Sequence, residues 1–338
     1  MKKLIKFSKS YNNIFKLKKD FNNFNLKHLK IAIKINNEYK KQPLRKCCKN
    51  CGSKKIKLFI KSFNIPYKLC SLCGHLNGAF EDTKVFANKL YSSNYGKNYS
   101  KNYLNDFDKR VKNIYIPKVN FLKKVIKKKI NLLDLGCGAG HFLKALEQKR
   151  ISAIGYDTSK DLCKLGNKKL RKNKIYFTKF DVIHEIIGNH SEFNTLSMIG
   201  VLEHLTEPHK LLNSFRQSKI KYLYLAVPLF SLSTFLENSF PSVFPRQLSG
   251  AHTHLYTEKS LNYLAKKYKL KIIGEYWFGT DFPDLIRSLM NAGTIMNKKI
   301  YNKELYEKVS KHVDNLQFVL DKNKVCSEVH MVFENKNF

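Results

Sequence analysis

The chain has 338 residues, and its 63 Lys and Arg residues against 26 Asp and Glu residues give a formal net charge of +37. Hydrophobic residues make up 43% of the chain, which excludes global disorder, and the 8 Pro and 15 Gly exclude a collagen-like protein. No apolar run approaches the roughly 18–20 residues of a membrane span, so we expect a soluble, cytoplasmic protein. The sequence does not indicate an oligomeric state.

The positive charge is a weak indicator of a nucleic-acid partner. Only 7 of the 63 basic residues are Arg, the residue suited to bidentate contacts with phosphates and bases. The Lys residues are spread along the whole chain, and Lys, Asn and Ile share A/T-rich codons. The charge therefore favours a compositional origin, and nucleic acid is a partner that the sequence allows but does not favour.

Residues 1–46 form the most basic segment, with 13 Lys and one Arg against two acids, a net charge of +12. Their apolar residues are compatible with an amphipathic helix. No uninterrupted apolar core follows the charged start, so the segment is not a secretory signal. We expect a basic extension that docks loosely, with attachment to a membrane surface as the alternative.

Five of the eight Cys residues lie between positions 47 and 73, in Cys47-Cys48-Lys-Asn-Cys51-Gly and Cys70-Ser-Leu-Cys73-Gly. Two C-x-x-C-G units match the paired knuckles of a zinc ribbon, because this spacing lets two thiolates reach one tetrahedral ion. Alternating stretches between the units predict a small hairpin. We expect residues 47–80 to form a zinc-ribbon-like module with a structural Zn²⁺. The predicted ligands are Cys48, Cys51, Cys70 and Cys73, with Cys47 as an alternative to Cys48.

Residues 81–129 are predicted to be a helical connector rich in Tyr. Tyr91, Tyr95, Tyr99 and Tyr103 recur every four residues, a spacing that places them along one side of a helix. They form either a packing stripe or a lid over a ligand.

From about residue 130 the pattern alternates between strands and helices. Strands are predicted at 130–135, 152–157, 175–180, 193–199, 221–227, 271–278 and 325–333, with helices near 139–149, 159–170, 258–269 and 283–320. Short apolar strands separated by helices indicate a parallel sheet covered on both faces. The fold class is therefore α/β and Rossmann-like.

The first of these strands runs into a glycine-rich turn, Asp134-Leu-Gly136-Cys137-Gly138-Ala-Gly140. Such a turn between a strand and a helix brings backbone amides close to a ligand. The spacing is G-x-G-x-G, with an acid two residues before the first Gly. A carboxylate at this strand end suits a ligand that carries a positive amino group.

Two further acids stand at neighbouring strand ends. Asp157 ends the second strand, where it can accept both hydroxyls of a ribose, and Asp181 follows the third, where it can accept from an adenine amine. A ligand with an ammonium group, a ribose and an adenine but no phosphate is S-adenosylmethionine (SAM). The predicted SAM-binding residues are Asp134, Gly136, Cys137, Gly138, Gly140, Asp157, Thr158, Asp181, Val182 and Gly200.

Residues from about 130 to 334 resemble the class I SAM-dependent methyltransferases of the small-molecule group, and we expect residues 130–338 to form the methyltransferase domain. The matching segments are Leu133-Asp-Leu-Gly-Cys-Gly-Ala-Gly140, Gly155-Tyr-Asp157, Gly200-Val-Leu-Glu-His-Leu205, Val227-Pro228 and His252-Thr-His-Leu-Tyr-Thr257. The resemblance implies a seven-stranded sheet in the order 3-2-1-4-5-7-6. The paired knuckles and Tyr-rich stretch resemble methyltransferases encoded with surface-polysaccharide and nucleotide-sugar pathways, which implies a carbohydrate acceptor. Sugar C-methyltransferases with such a module carry a further C-terminal domain that this sequence lacks, so we expect O- or N-methylation.

Three His residues are candidates for a catalytic role on the acceptor side. The insert at 229–257 is expected to lie over the carboxyl end of the sheet and build the acceptor pocket, followed by a helical insert at 283–320. His252 and His254 lie in the first insert, and His204 follows the fourth strand, where it either reaches the acceptor or caps the next helix. A general base assists methyl transfer to a hydroxyl.

The sequence thus favours transfer of a methyl group from SAM to a small-molecule acceptor. The segment after the fourth strand lacks the Asn/Asp-Pro-Pro-Tyr/Phe motif, which argues against adenine or cytosine amino-methylation. One alternative is an RNA methyltransferase that binds RNA through the zinc ribbon and a basic surface. Another is a non-catalytic SAM-fold binding protein, which the intact acids and glycines oppose.

Overall fold

The computed structural model of the protein describes residues 3–11, 24–92, 106–296 and 299–336. These residues form a large sheet of eight strands and a small sheet of four strands, with helices packed on both faces of the large sheet. The predicted tyrosine stripe lies outside the described residues, except for the backbone of Tyr91. Within the described ranges, no helix has the length and apolar character needed to cross a membrane.

The large sheet is mostly parallel, which confirms the predicted α/β class. Its strands are β1 (Leu4–Phe7), β5 (Asn131–Leu135), β6 (Ser152–Asp157), β7 (Lys174–Phe177), β8 (Thr195–Ile199), β9 (Tyr222–Pro228), β11 (Leu270–Phe278) and β12 (Glu328–Asn335). Only β12 runs antiparallel to its two neighbours, β9 and β11. The remaining pairs in the sheet are all parallel.

The strand order is β1-β11-β12-β9-β8-β5-β6-β7. Seven of these strands follow the order 3-2-1-4-5-7-6, but the sheet has eight strands, so the predicted number was wrong. The additional strand is β1, from the segment expected to be a loosely docked extension. It pairs in parallel with the edge of β11, from Leu4 opposite Gly274 to Phe7 opposite Trp277. This pairing joins residues about 270 positions apart, which local sequence patterns do not detect.

The helices cover the sheet in two layers. They are α1 (Asn25–Tyr39), α2 (Lys84–Ser92), α3 (Phe107–Arg110), α4 (Ile116–Val125), α5 (His141–Gln148), α6 (Lys160–Lys169), α7 (Pro208–Gln217), α8 (Leu232–Ser239), α9 (Glu258–Lys267), α10 (Asp281–Ile295), α11 (Lys299–Val309) and α12 (Val313–Lys322). A single π-helical turn, Val111–Tyr115, joins α3 to α4.

Alternation along the strands supplies both layers of the core. Successive side chains of a strand point to opposite faces, so Leu132 and Leu133 of β5 belong to different buried clusters. Leu133 packs in the cluster that contains Leu212 of α7, while Leu132 packs in the one that contains Leu143 of α5. The sheet is therefore buried on both faces, as the nearly continuous apolar strands predict.

The small sheet combines the cysteine region with the insert that follows β9. Its strands are β2 (Ile56–Ser62), β3 (Ile65–Cys70), β4 (Leu76–Gly78) and β10 (His254–Leu255), in the order β10-β4-β3-β2. The β2–β3 pair is the hairpin predicted between the two cysteine units. The fourth strand, β10, comes from the 229–257 insert and places His254 opposite Asn77.

Candidate functional site

The glycine-rich turn between β5 and α5 is hydrogen-bonded to the neighbouring strand β6. The amides of Gly136 and Cys137 both donate to the carbonyl of Tyr156, at 2.8 and 3.1 Å. Gly136, Gly138 and Gly140 all have positive φ angles of 56–76°, which favour Gly because it has no Cβ. A Cβ at Gly138 would meet no atom within 4 Å. The start of the turn is thus held against β6, and its middle faces open space.

Asp157 stands beside this open space. Its two carboxylate oxygens accept from the amide of Gly138 at 2.7 Å and from the amide of Ser159 at 2.9 Å. Each carboxylate oxygen has more than one acceptor position, so both retain capacity for a further donor. Burial raises the pKa of Asp157, and the amides of Ser159, Gly138 and Thr158 oppose this shift.

Asp134 lies deeper, at the carboxyl end of β5. It is 2% exposed, and the hydroxyl of Ser197 on β8 donates to it at 2.5 Å. Burial raises the pKa of Asp134 to about 7, and the nearby charge of Asp157 contributes to this rise. The two acids are therefore neighbours at the edge of the sheet, as their positions at strand ends predicted.

The other predicted cofactor residues lie on the segments that follow β6, β7 and β8. Thr158 directly follows β6, and Gly200 follows β8, where its amide donates to the carbonyl of Ala226 at 3.0 Å. Asp181 and Val182 lie in a 3₁₀ turn, Phe180–Val182, because β7 ends at Phe177, three residues before its predicted end. The side chain of Asp181 is outside the part of the chain that is described.

The segment after β8 brings Glu203 and His204 against the insert. One carboxylate oxygen of Glu203 and one ring nitrogen each of His204 and His252 lie within 4.8 Å of one another. The two imidazole rings have their centroids 4.9 Å apart. A Cβ at Gly136 would lie 2.5 Å from Cγ2 of Val201, so this segment packs directly on the glycine-rich turn. The structure therefore unites two of the three predicted histidines.

The third predicted histidine, His254, lies outside this group. Its side chain is fully buried in β10, and its Nδ1 is 2.9 Å from Nε2 of His75. Both rings pack against Tyr256. Burial holds the pKa of His254 well below its usual value, and the charge of Lys49 adds to this effect. His254 is therefore a neutral imidazole within the small sheet.

Four cysteine side chains converge at one end of the small sheet. The Sγ atoms of Cys48, Cys51, Cys70 and Cys73 all lie within 4.8 Å of one another, and Cys47 is not in the group. The Cys48–Cys73 and Cys51–Cys70 sulfur pairs are each 3.6 Å apart. Tetrahedral ligands at about 2.3 Å from a zinc ion stand about 3.8 Å apart, so the four sulfurs fit such an ion.

Two amide side chains donate to these sulfurs. Asn50 Nδ2 lies 3.6 Å from Sγ of Cys73, and Asn77 Nδ2 lies 3.5 Å from Sγ of Cys48. The same Asn50 amide group also donates to the carbonyl of Ser260 in α9 at 3.1 Å. Amide donors of this kind stabilise thiolates and orient metal ligands. Asn50 lies between Cys48 and Cys51, whereas Asn77 follows Cys73, and neither position carries a recognisable sequence signal.

The cysteine region is joined to the segment after β8 by buried polar contacts. Lys49 Nζ pairs with the carboxylate of Asp82 and donates to the carbonyl of Leu205 at 2.6 Å. His209 Nε2 donates to the carbonyl of Lys49 at 3.1 Å. Lys49, which lies between Cys48 and Cys51, therefore helps to position the segment that carries Glu203 and His204. The sequence did not predict this contact.

A family model described as a methyltransferase domain matches residues 107–275, half of the 338 residues. The chain therefore belongs to this methyltransferase family. Together with the order and directions of seven of its strands, the match identifies it as a class I SAM-dependent methyltransferase. A comparison with curated proteins returns no match.

Solved structures of methyltransferases are similar to this chain at low sequence identity. A SAM-dependent methyltransferase from Archaeoglobus fulgidus has 15% identity and a TM-score of 0.45, covering 71% of this chain and 99% of that one. Magnesium protoporphyrin IX methyltransferase from Synechocystis, with bound SAH, has 14% identity and a TM-score of 0.47, covering 59% and 95%. Phosphoethanolamine N-methyltransferase 2 from Haemonchus contortus has 15% identity and a TM-score of 0.47, covering 77% and 62%.

Proposed function

We propose that the protein transfers a methyl group from SAM to a hydroxyl or amine of a small molecule, a sugar or nucleotide-sugar intermediate. The observation that carries the proposal is the glycine-rich turn, which faces open space beside Asp157 and packs against the segment bearing Glu203 and His204. One side of the turn thus suits the cofactor, and the neighbouring segment suits the acceptor.

The residues around the turn fit SAM. The open space at Gly138 admits a ligand close to the backbone, and the acceptor capacity left on Asp157 suits the two ribose hydroxyls. Asp134 and Asp157 lie close enough to influence each other's charge, in keeping with a ligand that spans from a ribose to an ammonium group. When bound, SAM supplies an electrophilic methyl group on a sulfonium.

The burial of side chains on the proposed acceptor side favours a small molecule over a polymer. The side chain of Glu203 is 2% exposed and that of His204 is 21% exposed, and the insert that carries His252 joins the small sheet through β10. The resemblance of the paired-knuckle unit to enzymes of polysaccharide pathways supports a carbohydrate. The family match does not separate this acceptor from others.

The histidines are weakly suited to act as general bases. Burial lowers the pKa of His204 to about 3 and that of His252 to about 4. Both are neutral at pH 7, yet a base with so low a pKa accepts a proton inefficiently, because efficient bases have pKa values near the working pH. Alignment of the acceptor with the methyl group is then the main contribution of the protein.

We further propose that residues 47–80 form a zinc-ribbon module with a closed structural site. The convergence of four sulfurs, and two amide donors directed at them, support a thiolate-bound Zn²⁺. Four sulfurs complete a tetrahedral site and leave no open position for a substrate. The ion would stabilise the small sheet, including β10 of the acceptor insert.

Labelled SAM tests the proposed activity. Incubating the protein with methyl-labelled SAM and fractionated host metabolites and RNA should place the label in a small-molecule fraction containing carbohydrate. The Asp157→Ala variant should incorporate no label under the same conditions. Label in the RNA fraction would instead favour the RNA methyltransferase, to which the charge of +37 would contribute. SAM binding without transfer to either fraction would contradict both activities.

The affinity for SAM should depend on pH through Asp134. Holding an ammonium group requires the carboxylate, and since the pKa of Asp134 is raised to about 7 in the free protein, binding below pH 7 must displace a proton. The dissociation constant should therefore be about tenfold higher at pH 6 than at pH 8. Calorimetric titrations across this range measure the effect.

Two variants test whether the pH dependence of SAM binding comes from Asp134 or from another titrating group. Asp134→Asn should bind weakly at pH 8 and show a flat pH profile. Ser197→Ala removes a hydrogen bond that favours the ionised carboxylate, so its profile should shift to higher pH. A pH profile that Asp134→Asn leaves unchanged would assign the dependence to another group.

A further inference from the structure

We propose that Glu203, His204 and His252 form a binding site for a divalent transition-metal cation at the acceptor end of the sheet. The inference rests on the proposed methyl transfer, whose acceptor it would bind and activate. It concerns a second site, separate from the four cysteines.

The three side chains place possible ligand atoms close together. The closest oxygen of Glu203 lies 3.9 Å from Nε2 of His204, and all three ligand atoms lie within 4.8 Å of one another. Nitrogen and oxygen ligands about 2.1 Å from one ion stand about 3 to 4 Å apart. Small side-chain rotations would therefore bring all three into contact with a cation.

Both histidines are held in the tautomer that binds metals. Nδ1 of His204 lies 3.2 Å from the carbonyl of Ala251, and Nδ1 of His252 lies 2.9 Å from the carbonyl of Gln247. A carbonyl only accepts, so Nδ1 carries the proton in each ring and Nε2 carries a lone pair. Metal-binding histidines commonly donate their other ring N–H to a carbonyl in this way.

The buried carboxyl of Glu203 supplies an independent observation. The residue is 3% exposed, and its Oε2 atom has no hydrogen-bond partner among the described residues. Burying a carboxyl oxygen without a partner costs free energy, and a bound cation would offset that cost by neutralising the carboxylate.

The ligand set indicates the class of metal and its use. Two imidazoles with one carboxylate suit Mn²⁺, Fe²⁺, Co²⁺ or Zn²⁺, whereas Mg²⁺ and Ca²⁺ prefer oxygen ligands alone. Three protein ligands leave positions open for an acceptor oxygen, whose pKa the ion would lower. The acceptor hydroxyl would then lose its proton to solvent water, and its oxygen would take the methyl group from the sulfonium of SAM, leaving S-adenosylhomocysteine; this favours O-methylation.

Paramagnetic resonance with Mn²⁺ as the probe tests the site in the full-length protein that retains its cysteine-bound metal. Mn²⁺ is suited to nitrogen and oxygen ligands and poorly suited to a site of four thiolates, so one bound Mn²⁺ per chain should report the second site. Pulsed spectra should show couplings to imidazole nitrogen, which change when the protein is labelled with ¹⁵N-histidine. Absence of bound Mn²⁺, or of nitrogen coupling, would overturn the proposal.

Histidine variants test whether His204 and His252 are ligands of the bound Mn²⁺. His204→Ala and His252→Ala should each weaken Mn²⁺ binding by about 100-fold, while His312→Ala, which removes an exposed histidine, should have no effect. SAM titrations on the same samples keep the two proposals distinguishable. Variants that still bind SAM and Mn²⁺ like the original protein would refute the metal site alone. Failure of the original protein to bind SAM would refute the proposed function instead.

Discussion

Replacing Asp157 with alanine should weaken SAM binding by at least about 100-fold and remove the calorimetric signal. Hydrogen bonds to a charged group contribute about 1.5–3 kcal/mol each, and the variant removes the carboxylate that we propose accepts from two ribose hydroxyls. Two such bonds account for at least two factors of ten, at about 1.4 kcal/mol per factor. Asp161→Ala, an exposed acid in the first turn of α6, should bind SAM normally.

The Asp157→Ala variant also removes the acceptor of two backbone amides, those of Gly138 and Ser159. The loss of these hydrogen bonds would make the glycine-rich turn less ordered. An S-adenosylhomocysteine analogue without ribose hydroxyls separates the two effects. Removing the hydroxyls should weaken binding to the original protein and have little further effect on binding to Asp157→Ala. Equal losses in both proteins would show that Asp157 does not contact the ribose.

Removing the four convergent thiols should eliminate the bound zinc and unfold the small sheet. Measured in a His204→Ala background, which removes the proposed second metal site, the zinc content should be about one per chain. Adding Cys48→Ser, Cys51→Ser, Cys70→Ser and Cys73→Ser (the quadruple variant) should leave no zinc, although Cys47 remains. Structural zinc sites contribute about 10–16 kcal/mol of apparent binding free energy in small domains, so protease cleavage within residues 47–80 should increase strongly.

The single variant Cys47→Ser is the matched control, and it should retain the zinc and the protease resistance. In the quadruple variant, the contacts of Lys49 with Leu205 and of Asn50 with Ser260 should also be lost. SAM should still bind, because the glycine-rich turn is fastened to β6 rather than to the small sheet. Zinc retained by the quadruple variant would show that the ligand set is wrong.

The sequence predicted the parallel sheet and its glycine-rich turn because both depend on local patterns. Apolar strands of the right length, separated by helical segments, determine the layers, and three closely spaced glycines mark the turn between β5 and α5. The acids at the ends of β5 and β6 could be placed together because parallel strands end at one edge. The spacing of the two C-x-x-C units likewise predicted that four cysteines would surround one ion.

The net charge is the least informative feature of the sequence. Its Lys residues are spread along the chain. One of them, Lys49, forms a buried ion pair with Asp82. The basic first segment is not simply loosely docked, since Leu4–Phe7 extends the sheet. Pairing between distant backbone segments leaves no periodic signal, so only the tertiary structure could add this strand.

The sequence by itself determined the fold class, the neighbouring acids at the ends of β5 and β6, and the cysteine cluster. Only the tertiary structure decided which of the three candidate histidines lie close together. His252 and His254 are two residues apart and would share a face in a continuous strand. However, β10 begins only at His254, and its pairing with β4 fixes His254 in the small sheet. His252 instead approaches His204 and Glu203. Their meeting depends on long-range packing of the insert, which sequence spacing does not encode.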